Sequence, residues 1–119
     1  MRVSRDKIIQ GVTEYIKGEI LPKMDKTMQI IGSIAVNAAA TNEKIVDGLF
    51  GNGMVMALLE DDGSGMYEVS NLMDAVKRSI DQYGNLPIQI PAIPFISKEI
   101  TLTLNAGDID AMKRRMEMA

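Results

Sequence analysis

The chain has 119 residues, 46% of them hydrophobic and 24% charged, with a net charge of −3. That is the size of a single packed domain and too apolar for a disordered segment. With no cysteine and no histidine, disulfides, thiolate nucleophiles, imidazole bases and zinc sites built on either residue are excluded, leaving carboxylates, lysines, hydroxyls and three tyrosines.

The acidic balance, with a pI near 4.9, argues against a general nucleic-acid binder, because duplex affinity is dominated by Lys and Arg against phosphates. The charge is uneven. Residues 1–26 hold six basic and four acidic groups, residues 42–83 three and eight, and residues 84–119 four and four.

Ser4 is placed to cap a first helix, in which Ile8, Ile9, Val12, Tyr15, Ile16 and Ile20 recur at three- and four-residue spacing over about 17 residues. Pro22 either kinks this helix or opens the next at its first turn. A second helix, reaching about Ala40, follows the stripe Met24, Met28, Ile31, Ala35 and Ala38. The stretch 28–40 imitates a secretory signal. It lies far from Met1, is broken by Gln29, Gly32, Ser33 and Asn37, and is shorter than the roughly 20 residues that cross a bilayer. A buried helix and a cytoplasmic protein are expected.

Thr41 or Asn42 caps a third helix carrying Ile45, Val46, Leu49 and Phe50, stopped by Gly51-Asn52-Gly53. The apolar run 54–59 is read as helix, since Met, Ala and Leu favour it, and 60–65 as a loop. Ser70 is expected to cap a helix whose stripe is Leu72, Met73, Val76, Ile80 and Tyr83, with Asp74 in its first turns and Gly84 just past its end.

From Asn85 the period changes to two. The segment 87–91 reads as a short strand, and 98–104 alternates strictly, placing Ile100, Leu102 and Leu104 on one face and Thr101 and Thr103 on the other. Ile88 and Ile90 are expected to join the buried face. A lone hairpin is marginal in water, so this one must pack on helices or find another strand. Asp108 is expected to cap a last helix with Ile109, Met112 and Met116 inside and Lys113, Arg114, Arg115 and Glu117 outside. The predicted fold is thus mainly helical α+β in one domain, 1–119: four to five helices in 4–84, then a C-terminal two-stranded hairpin and a short terminal helix in 85–119.

The candidate sites are few. Glu60-Asp61-Asp62 is oxygen-rich, but lacks the alternating acids and distant glutamate of a calcium loop and reads more simply as a solvated turn. Gly51/Gly53 and Gly63/Gly65 lack phosphate-loop patterns, and 91–94 is formally PxxP but better read as a stiff connector. Lys113-Arg114-Arg115 is a basic cluster without aromatic company, surrounded by Asp108, Asp110 and Glu117, which fits a solvated face better than a nucleic-acid contact. Ten methionines are mostly core filling at helical spacing, while those near the C-terminus offer an adaptable surface.

No catalytic constellation emerges, and no cofactor or metal is called for. The expectation is a non-enzymatic structural or assembly module acting through protein partners, as a homo-oligomer, with no membrane role. Its candidate contacts are Ile109, Met112, Met116, Thr101, Thr103, Lys113, Arg114 and Arg115. The alternative is a small regulator touching nucleic acid or another regulator through the basic terminal helix. The order of an SRDKIIQGVTEYIKGEILPKM helix, a GMYEVSNL turn into an amphipathic helix, then LPIQIPAIPFIS and an ITLTL strand resembles small proteins encoded in bacterial prophage structural-gene clusters. That resemblance implies a virion-assembly, tail or head–tail accessory role, usually within an oligomer.

Overall fold

The computed structural model describes residues 2–41, 66–90 and 92–118. The expected third helix, the apolar run 54–59, the glycine pairs and the acidic loop 60–62 lie outside the described residues.

The chain opens with a strand, β1 (Arg2–Ser4), that no local pattern announces. Ser4 then caps α1 (Arg5–Tyr15) as expected, its side chain accepting from the Lys7 amide at 3.3 Å. The stripe holds as well: Ile8, Ile9, Val12, Tyr15 and Ile16 are all buried, with Ile20 packed against them. The single long helix does not. After Tyr15 the backbone loosens into a π turn (Ile16–Ile20) and then tightens into a 3-10 turn (Leu21–Lys23) containing Pro22. Proline fits there because an early helical position leaves its N–H without an intrahelical partner anyway.

Asp25 starts the next helix, α2 (Lys26–Thr41), by accepting from the Met28 amide at 2.9 Å. Its buried positions are Gly32, Ala35, Val36 and Ala39, so the apolar stripe ends on Ala39 rather than the expected Ala38. Gly32 lets α2 close on the 3-10 turn: a Cβ there would stand 2.8 Å from Leu21 Cδ2.

A second short strand, β2 (Met66–Glu68), pairs antiparallel with β1, Arg2 opposite Glu68 and Ser4 opposite Met66. It leads directly into α3 (Val69–Tyr83). Glu68 occupies the cap position, so Ser70 lies inside the first turn instead of capping it, and Asp74 falls beyond that turn. Leu72, Met73, Val76 and Ile80 are buried as expected, but Tyr83 at the helix end is 74% exposed. Gly84 terminates α3 with φ of 93°, a left-handed conformation that glycine adopts without steric cost.

The hairpin is formed by β3 (Leu86–Ile90) and β4 (Ile100–Leu104), one residue before and two residues after the expected starts. Its antiparallel register sets Leu86 opposite Leu104, Ile88 opposite Leu102 and Ile90 opposite Ile100. All these side chains are buried except Ile100, which is half-buried. The last helix, α4 (Ala106–Met118), packs against α3 and α1. One continuous core runs through every described element from Val3 to Met116 and covers the inner face of the hairpin. The mainly helical α+β class therefore holds, with four α-helices among the described residues and an unexpected second pair of strands.

Candidate functional site

The helix-capping chemistry of α4 fixes one side of the molecule. Asn105, not Asp108, is its cap residue: Asn105 Oδ1 accepts from the Asp108 amide, and Asp108 Oδ2 accepts from the Asn105 amide, both at 2.9 Å. This reciprocal box satisfies two backbone donors that a helix start leaves open. The second carboxylate oxygen of Asp108 accepts from the Tyr15 hydroxyl at 2.6 Å. Burial, then the hydrogen bond and charge of Asp108, push the Tyr15 hydroxyl up to about 12.

Arg115 lies over the Tyr15 ring, 5.8 Å from its centroid, and pairs with Glu19 on the π turn at 2.7 Å. Across the other seam, Lys77 meets Asp110 at 2.9 Å and Lys113 approaches Asp74 at 3.8 Å. The Asp110 hydrogen bond, and its charge, raise the Lys77 amine above its ordinary value. Ser70 donates to Glu117 at 3.1 Å. Two of the three cationic side chains in the Lys113-Arg114-Arg115 cluster are thus held by carboxylates of other elements, and Arg114 is exposed beside them.

Ile109, Met112 and Met116 lie inside as their helical spacing predicts, which corrects their place among the candidate contacts. They are only 2%, 2% and 5% exposed, and belong to the chain's own core. The physical reason is that α4 is sandwiched by α1 and α3, which use up its apolar side. Thr101 and Thr103 do face outward, opposite Gln89 and Pro87 on β3, so the outer hairpin face is uncharged and exposed.

Two recesses flank α1. One, about 380 Å³, is lined by Asp6, Ile9, Gln10, Thr13, Glu14, Lys17 and Ala40, and the Thr13 hydroxyl beside it is buried without a partner among the described residues. The other, about 90 Å³, lies between β1, α1 and α4, with Val3, Gly11 and Met116 as apolar walls and Lys7, Glu14 and Arg115 around them. Among the described residues no group of three or more carboxylates is gathered to hold a metal ion, and no helix is long and apolar enough to cross a membrane.

The feature sequence reading missed is the hairpin apex. An antiparallel bridge between Ile93 and Ser97 closes a tight turn, with the Ile96 amide donating to Ile93 O at 3.0 Å and the Ser97 amide to the same oxygen at 2.9 Å. Phe95 sits third in that turn with φ of 66°, after Pro94, where glycine or asparagine is the usual occupant. Its relative exposure is 110%, and the neighbouring Ile96 is 52% exposed. The available signal was compositional: Phe95 is one of only five aromatic residues in the chain, and it directly follows a proline in a turn. Comparison with protein-family models, curated proteins and solved structures found no match.

Proposed function

We propose that the chain is a non-enzymatic assembly module that works by protein–protein contact, as a homo-oligomer in the cytoplasm of the cell that makes it. The observation carrying this reading is Phe95, a fully exposed ring held in an unfavourable backbone conformation at the apex of a well-packed hairpin. A bulky side chain at positive φ costs of order 1–3 kcal/mol, and such strain persists where the surroundings impose it, commonly at binding features. Each strand pair also has two members only among the described residues, which leaves strand edges for pairing between subunits.

The regulator reading is weaker. Arg115 and Lys113 are drawn into pairs with Glu19 and Asp74, and the face they share is of mixed charge. The resemblance to small prophage proteins extends the proposal to a virion, tail or head–tail accessory role. Light scattering after size-exclusion chromatography over a concentration series tests the core of it. Species at multiples of 13.1 kDa are expected, and a monomer at every concentration would remove the homo-oligomer.

A further inference from the structure

We infer that the hairpin apex of one copy seats Phe95 in the recess between α1 and α4 of a second copy; this rests on the assembly reading and names its partner. The apex presents Pro94, Phe95 and Ile96 as a continuous apolar knob, and Phe95, at 110% exposure, finds no cover among the described residues. The knob is stiff. Its closing bonds between Ile93, Ile96 and Ser97 fix the backbone of the turn, so docking costs side-chain rather than backbone freedom.

The recess has matching chemistry. Its inner surface is Val3, Gly11 and the Met116 side chain, which reaches α1 because Gly11 carries no Cβ: one there would stand 2.8 Å from Met116 Cε. A closed apolar cavity of roughly 150 Å³ holds a benzene ring. A half-open recess of about 90 Å³ takes a phenyl edge-on. Methionine suits this, as its flexible thioether packs favourably against aromatic edges.

Charge selects this occupant over a membrane. The knob is followed by Lys98 and Glu99, a mixed-sign pair that gives an anionic leaflet no net attraction, and the chain carries −3 overall. The recess is rimmed by Lys7, Glu14 and Arg115; Arg115 is held by Glu19, which leaves Glu14 and Lys7 as the rim charges opposite in sign to Lys98 and Glu99. Knob and recess are different patches, so the contact closes either reciprocally in a two-fold pair or head-to-tail into a ring.

The test is complementation. Phe95→Gly removes the ring and suits the left-handed position. Gln10→Trp, with Lys7→Trp as a second version, fills the mouth of the recess. The wild-type chain is expected to associate, each variant alone to run at 13.1 kDa with Phe95→Gly melting no lower than wild type, and a Phe95→Gly plus Gln10→Trp mixture to restore a dimer at the highest concentration. A Phe95→Gly chain that keeps the wild-type mass, or a mixture that stays monomeric, overturns this docking while leaving assembly standing. A monomeric wild type overturns both. Phe95-dependent pelleting with phosphatidylcholine–phosphatidylserine vesicles, in place of self-association, makes the apex a membrane anchor and overturns it too.

Discussion

The Tyr15 hydroxyl donates to Asp108 Oδ1 at 2.6 Å across 93 positions of sequence. It ties the last residue of α1, where the backbone passes into the π turn, to the first turn of α4. Because the other oxygen of Asp108 closes the capping box with Asn105, one carboxylate supports both a helix start and a contact between helices.

That bond makes stability sensitive to alkali. The folded-state Tyr15 hydroxyl is raised from 10.0 to about 12, so above pH 10 the unfolded chain releases a proton that the folded chain retains. The contribution is whole below pH 10 and is lost as pH rises through about 12. Urea unfolding at pH 8, 10 and 11.5 is expected to show wild type losing stability faster than Tyr15→Phe, which shares every lysine titration but lacks the hydroxyl. Parallel losses in the two proteins would refute the assignment.

The two capping residues separate by cost. Asn105→Ala removes one cap acceptor and is expected to lower stability by about 1 kcal/mol. Asp108→Ala removes its half of the box and also leaves the buried Tyr15 hydroxyl unpaired, so about 2 to 4 kcal/mol is expected. The pairing of Asp108→Ala with Tyr15→Phe should be less than additive, because either change alone already breaks the shared bond. Full additivity in denaturation midpoints would mean that the bond carries no energy.

Strong periodicity made the hairpin and α1 legible in sequence. Ile100, Leu102 and Leu104 alternate without interruption, and Ile8, Ile9, Val12, Tyr15 and Ile16 keep helical spacing, so both buried faces were readable. The β1–β2 pair was not: three residues are too few to alternate, and the partners Arg2 and Glu68 are far apart in the chain. The π turn is likewise invisible, since Ile16 and Ile20 fit helical spacing whether or not the backbone loosens between them. Met112 and Met116 were readable as the inner face of α4, but nothing local says that α1 and α3 cover both of its flanks, so a contact surface stayed open beside the core reading. Phe95 went unread because turn patterns locate a bend without saying which side chain it projects.

The hairpin gives a paired contrast between faces. Leu102→Asp places a charge at a position 2% exposed, with no buried cation among the described residues to receive it; a loss of several kcal/mol, seen as a chain unfolded at room temperature, is expected. Thr103→Asp, one residue along on the exposed face, should cost no more than about 1 kcal/mol. Far-ultraviolet circular dichroism melts distinguish the two. A folded Leu102→Asp with wild-type melting would reverse the assignment of faces.

Gly32 and Gly18 carry opposite expectations for the same change. Alanine is worth up to about 1 kcal/mol over glycine in a helix, and at Gly18 the new Cβ would find only the Arg115 guanidinium, at 3.5 Å. Gly18→Ala should therefore hold or raise the melting temperature. At Gly32 the Cβ would stand 2.8 Å from Leu21 Cδ2. Leu21 is 3% exposed at the 3-10 turn, so its methyl groups have nowhere to retreat without disturbing the packing of α2. Overpacking of this kind costs about 1 to 3 kcal/mol, which outweighs the propensity gain, and Gly32→Ala should melt lower than wild type. If it melts higher, the turn at Leu21–Lys23 yields to α2, and Gly32 is not what sets their close approach.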